Sequence, residues 1–158
     1  MMEDIEKHTG EPFVITPCTL NNNLPKLRLI KCCEVLIDFR TCLFPEPSHC
    51  SDIKVFSRVE AKIDKVCGCK VIIGGILHKT IKFKSKGCDC KSHEHVKHKS
   101  IPFSCFIDFD CTSPDSLFEI SGHEIICEFS ELKKIKKDCS IKTIFIEKDI
   151  IAISVRSN

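Results

Sequence analysis

The chain has 158 residues, 24 Lys and Arg against 22 Asp and Glu for a net charge of +2, and 13 cysteines. That length suffices for one domain with its own apolar core, so cross-links are not required merely to fold. Near-neutral charge spread along the chain excludes the basic footprint of a nucleic-acid binder or of a protein held to an anionic membrane, and no run approaches the ~20 apolar residues of a membrane helix.

The first stretch, MMEDIEKHTGEPF, carries acidic residues and no apolar run of a secretory signal, so synthesis in a reducing cytosol is expected. Within residues 1–50, GEPF, NNNLP and FPEPS are loop-forming, and only LRLIKCCEVLIDF has the β-branched and leucine content of a strand. These residues read as an N-terminal arm. Its strand pairs with a sheet edge, either its own or a neighbouring subunit's.

From residue 53 the apolar positions recur with a period of two, the repeat of strands. In IKVFSRVEAKID, Val55, Val59, Ala61 and Ile63 share a face with Ser57, opposite Arg58, Glu60, Lys62 and Asp64. KVIIGGILHKTIKFK predicts a long strand bent or bulged at Gly74 and Gly75, with Leu77, Ile81 and Phe83 on one side. In SIPFSCFIDFD, Ile101, Phe103, Cys105, Ile107 and Phe109 line one face, and Pro102 places that strand at an edge or at its start. TSPDS at 112–116 predicts a turn before the strand-like LFEISGHEIICEF. SELKKIKKD predicts a helical turn or a charged hairpin loop, and SIKTIFIEKDIIAISV predicts two short strands around a turn at Glu147 to Asp149. Strands at this spacing without amphipathic helices predict an all-β fold, an antiparallel sandwich or barrel-like domain over residues 51–158.

The order EAKIDKV, VIIGGILHKTIKF, HKSIPFSCFIDF and a closing strand pair resembles the SPOCS domain of spore-coat and spore-morphogenesis proteins of anaerobic spore-forming bacteria. The likeness spans about residues 51–156. Its most specific parts are Gly75-Ile76-Leu77 leading to Thr80–Phe83, and Ile101-Pro102-Phe103 leading to Phe106–Phe109. It implies a β-rich fold and a role in the spore envelope, with no catalytic residues to carry over. It also implies synthesis in the mother-cell cytosol followed by exposure to oxidising surroundings on the spore surface, which reconciles many cysteines with a missing export signal.

An odd number of cysteines leaves a fully oxidised monomer with at least one thiol unpaired or bonded to another chain. Cys32-Cys33, Cys67-Cys69 and Cys88-Cys90 would form strained small rings if bridged within each pair. In extended chain Cys32 and Cys33 point to opposite faces and suit two different partners, one in the core and one on a neighbouring subunit. Cys18, Cys32 and Cys33 of the arm and Cys67, Cys69, Cys88 and Cys90 of the loops are therefore the candidates for inter-subunit disulfides. Cys105 and Cys127 lie on apolar faces as packing thiols or an internal bridge. The expected molecule is a self-assembling structural spore-envelope protein, forming a homo-oligomer or polymer alongside other envelope proteins.

The alternative is a metal-binding coat component. CDCKSHEHVKH offers Cys88, Cys90, His93, His95 and His98, donors suited to zinc or copper, although C-x-C with H-x-H is not the spacing of structural zinc modules and four lysines crowd the segment. No nucleophile elbow or phosphate-cradling loop is present, so an enzyme is not expected. Apart from that metal, no cofactor is implied.

Overall fold

A computed structural model of the chain describes residues 29–49, 53–110, 116–137 and 140–157. Six strands follow in order, β1 (Ile30–Leu43), β2 (Lys54–Cys67), β3 (Lys70–Lys86), β4 (Ser92–Asp108), β5 (Phe118–Lys137) and β6 (Ser140–Ser157), with no helix among the described residues. They form two antiparallel three-stranded sheets, ordered β1-β6-β5 and β2-β3-β4, stacked as the predicted sandwich. The strand of the N-terminal fifty residues pairs in cis, with Ile30 opposite Arg156 and Leu43 opposite Thr143.

Alternation decides which side of each strand is dry, since successive side chains of a strand point to opposite faces. On β3, Val71, Ile73, Leu77, Ile81 and Phe83 are buried, and on β6 Phe145, Ile151, Ile153 and Val155 are buried. The interior divides in two. Val71, Ile73, Leu77, Ile107, Phe109, Ile151, Ile153 and Val155 build the larger apolar cluster with Ile37 and Val59, whereas Leu43, Ile81, Phe83 and Phe145 build a smaller one towards the β3–β4 turn.

Three details depart from the expected strands. β5 runs on through Lys137, so SELKKIKK is strand; pairing with β6 continues to the register of Lys137 with Ser140 and extends the sheet beyond the core. β6 is one continuous strand, because Glu147 and Asp149 keep the alternating phase of Phe145 and Ile151 and are buried with them. β3 is unbroken at Gly74 and Gly75; the bulge lies on β2 between Ile63 and Lys65, across from Ile73 and Ile72. The glycines serve close approach instead. A Cβ at Gly75 would fall on the ring of Phe103 and the carbonyl oxygen of Glu60, and one at Gly74 would meet only the carboxylate end of Asp64.

β1 and β4, edge strands of different sheets, lie along one seam. Lys31 Nζ donates to the carbonyl of Asp108 at 2.8 Å, Cys33 bridges to Cys105 with Cα atoms 6.6 Å apart, and Lys97 Nζ donates to the carbonyl of Cys42. That seam is fastened by side chains where no ladder joins the sheets.

Candidate functional site

The cysteines sort by strand phase and turn position. Cys33 lies on the inward face of β1, in register with Ile153, and forms the intrachain bridge to Cys105 between the two sheets. Cys32, on the other face, contacts Ser154 Oγ at 3.2 Å and is disulfide-bonded, as is Cys69. Cys42, Cys67, Cys88, Cys90 and Cys127 are exposed free thiols. The candidate Cys18 lies outside the described residues.

Cys127 corrects the expectation of a packing thiol. Two bulges in β5, at Ile120/Gly122 and Ile125/Cys127, re-phase the strand, and the second turns Cys127 outward opposite Ile150 while aiming Glu128 inward opposite Asp149.

Cys67 precedes the Gly68-Cys69 turn of the β2–β3 hairpin, where Gly68 supplies a φ of 60°. Cys88 and Cys90 sit in the β3–β4 turn, closed by Gly87 N–H to the Lys91 carbonyl at 2.9 Å and Cys90 N–H to the Gly87 carbonyl at 3.0 Å. Because β3 joins the two turns, its 17 residues at ~3.3 Å each place Cys67 roughly 50 Å from Cys88 and Cys90. Of the free thiols, Cys67 thus sits at one pole of the sandwich and Cys88 and Cys90 at the other, while Cys42 and Cys127 lie within β1 and β5.

Cys88, Cys90, His93, His95 and His98 do not converge. His93 Nε2 lies 3.2 Å from Asp89, whose carboxyl is held below its usual range by the Lys91 N–H and then by His93. His95 turns inward, 2.7 Å from Ser85 Oγ and stacked on Phe83 at 5.3 Å. His98 is on the outer face, 3.1 Å from Thr80 Oγ1. Strand alternation separates His98 from the other two, and each ring nitrogen described here has a different local partner.

Between the two apolar clusters lies a charged layer that the sequence reading did not identify. Lys79, in the inward phase between Leu77 and Ile81, is 1% exposed. Its Nζ lies 2.5 Å from Ser57 Oγ, 2.6 Å from Glu147 Oε1, 2.7 Å from Asp149 Oδ2 and 3.3 Å from Glu128 Oε1. Glu147 and Asp149 are 2% and 0% exposed, and Glu128 is about half exposed at the rim. Burial raises the Glu147 carboxyl to about 7 against the pull of Lys79, and burial likewise raises Asp149. Burial disfavours the Lys79 charge, but Asp149 and Glu147 outweigh it and hold the ammonium pKa above its ordinary value. Asp149 Oδ1 and Glu147 Oε2 are buried with no hydrogen-bond donor aimed at them.

Glu128, Glu147 and Asp149 are the one group of three or more possible metal ligands that converges among the described residues, and the Lys79 ammonium already fills the space between them. The signal for this layer was phase: Lys79 falls in step with Leu77 and Ile81, and Glu147 and Asp149 in step with Ile151. A shallow groove of about 370 Å³ on the outer face of β2-β3-β4, lined by Phe56, Arg58, His78, Thr80 and His98, has its polar groups paired locally: His78 meets Ser100 and Glu60, and His98 meets Thr80. Compared with family models, curated proteins and solved structures, the chain matches none of them.

Proposed function

We propose that this chain is a structural, self-assembling subunit of a spore envelope, in a coat, exosporium or appendage filament, with copies joined by disulfides. The observation that carries the reading is the placement of free thiols at both poles of a rigid β-brick, Cys67 at one and Cys88 and Cys90 at the other. A copy cannot close its own Cys67 onto its own Cys88 across roughly 50 Å, whereas the head of one copy can meet the tail of the next. Such a contact is heterologous and propagates into a fibre unless its rotation closes a ring. Covalent links then outlast any local opening of the noncovalent contact. The resemblance to the SPOCS domain supports the spore surface as the place.

The test is oxidation of the purified chain, followed by a non-reducing denaturing gel and electron microscopy. The expected result is a ladder extending well beyond dimer with ordered polymers, collapsing to monomer with reductant. In a chain with Cys42 and Cys127 already replaced by Ser, replacing Cys88 and Cys90 together by Ser is expected to remove the ladder above dimer and leave the fold intact. Monomer bands from the oxidised, unmodified chain would refute disulfide-linked assembly.

A further inference from the structure

The buried layer around Lys79 is more than self-assembly needs. Leaving an ammonium and two carboxyl groups between apolar clusters has a large desolvation cost, and an apolar replacement of similar volume is often as stable. The geometry is also that of two reactants held in contact. Lys79 comes from the central strand of one sheet and Asp149 from the central strand of the other, with Nζ and Oδ2 2.7 Å apart. Glu147 Oε1 touches the same nitrogen at 2.6 Å, and Ser57 Oγ holds it from the β2 side at 2.5 Å. Ile37 and Phe39 of β1 stand in register with Asp149 and Glu147 and make that side apolar, while Glu128 of β5, in register with Asp149, and Lys99 of β4, in register with Lys79, are the charged neighbours.

We infer that Lys79 and Asp149 react to form an intramolecular amide between Nζ and Cγ, with Glu147 as the catalytic residue that shuttles the proton. The reactive form is a neutral amine beside a neutral acid, and one proton passing from Nζ to Oδ2 across the 2.7 Å contact produces that pair. The nitrogen lone pair then adds to Cγ of Asp149. Glu147, protonated, gives its proton to the departing hydroxyl, which leaves as water, and takes up in its place the proton that the nitrogen sheds. One C–N bond forms and one C–O bond breaks; nothing is oxidised or reduced, and no co-reactant is consumed. Fixed proximity supplies the driving geometry, since well-oriented intramolecular partners reach effective concentrations of ~10⁵ M or more. The raised carboxyl values of Glu147 and Asp149 agree with both acids holding protons when the amine is neutral. The product ties the two sheets together through their centres.

Intact mass spectrometry of the full chain, denatured and with every disulfide reduced, tests this directly. The expected mass is one water below that of the sequence, and a protease digest is expected to yield a branched peptide joining Lys79 to Asp149. K79R and D149A are each expected to have the full mass. E147Q, which retains both reacting groups, is expected to form the bond at least ~100-fold more slowly, the usual size of a general acid–base contribution. The unmodified mass in the wild-type chain with trypsin cutting after Lys79 would overturn the inference, as would loss of a water that persists in K79R. The wild-type digest decides the matter even if a variant fails to fold.

Discussion

Lys79 is the residue on which the interior turns. Taking it away leaves Glu147 and Asp149 facing each other in a dry site, and removing one partner of a buried ionic group costs about 3–5 kcal/mol. Relative to the chain before its amide forms, Lys79→Met is therefore expected to lower stability by that amount at neutral pH in urea titrations under reducing conditions, and to recover part of it on acidification as the orphaned carboxyls protonate. Before the Lys79–Asp149 amide forms, Glu147 gives the chain a pH dependence of definite sign. Its folded value of about 7 lies above the ordinary 4.5, so between them the folded chain holds a proton that the unfolded chain has released. Stability falls as pH rises through that window, by about 3 kcal/mol. Asp149 acts in the same direction. In that unreacted chain the raised Lys79 value contributes stability present below the ordinary lysine pKa and lost only as pH rises through the folded one. Glu147→Gln is expected to flatten the profile between about pH 5 and 7; an unchanged slope would remove Glu147 as its source.

Within the strands, glycine and bulge positions set what the flat alternation pattern cannot. Gly75 admits the Phe103 ring and the Glu60 carbonyl against β3, whereas Gly74 faces only the movable end of Asp64. Gly75→Ala is expected to cost about 1–3 kcal/mol, because a backbone oxygen cannot swing aside, and Gly74→Ala is expected to change stability by less than about 0.5 kcal/mol. Thermal melts of the two variants side by side check this contrast, and equal losses would contradict it. The bulge at Ile125/Cys127 matters for a different reason: one extra residue exchanges the faces of Cys127 and Glu128, placing a thiol in solvent and a carboxylate at the rim of the buried layer.

As one molecule, the sandwich is fastened unevenly. Along the β1–β4 seam the Cys33–Cys105 bridge stands between two lysine-to-carbonyl contacts, and it closes a loop of 72 residues. Loop-closure entropy puts its contribution near ~4 kcal/mol. Cys33→Ala with Cys105→Ala is expected to lower the urea midpoint of the oxidised chain by a corresponding amount and to leave that of the reduced chain nearly unchanged. The exposed polar thiols are expected to contribute nothing to this stability, since they bond within no single copy. Stability and assembly thus draw on separate cysteines.

Much of this architecture follows from residue order. A period of two, with turn-forming residues between apolar runs, is sufficient for an antiparallel all-β fold and for most of the buried face, as Leu77, Ile81, Ile107, Ile151 and Val155 illustrate, but it breaks β6 in two at Glu147 to Asp149. The same order places Cys67 at one hairpin turn and Cys88 and Cys90 at another. Residue order leaves open the pairing of Cys33 with Cys105, the outward turn of Cys127 and the meeting of Lys79 with Glu147 and Asp149. The first and last depend on how the two sheets stack, a relation between residues about 70 positions apart, and the Cys127 turn depends on where a bulge shifts the β5–β6 pairing; no local periodicity encodes either. Charged residues in an apolar phase look like turn or surface residues until a partner of opposite charge is brought across from the other sheet.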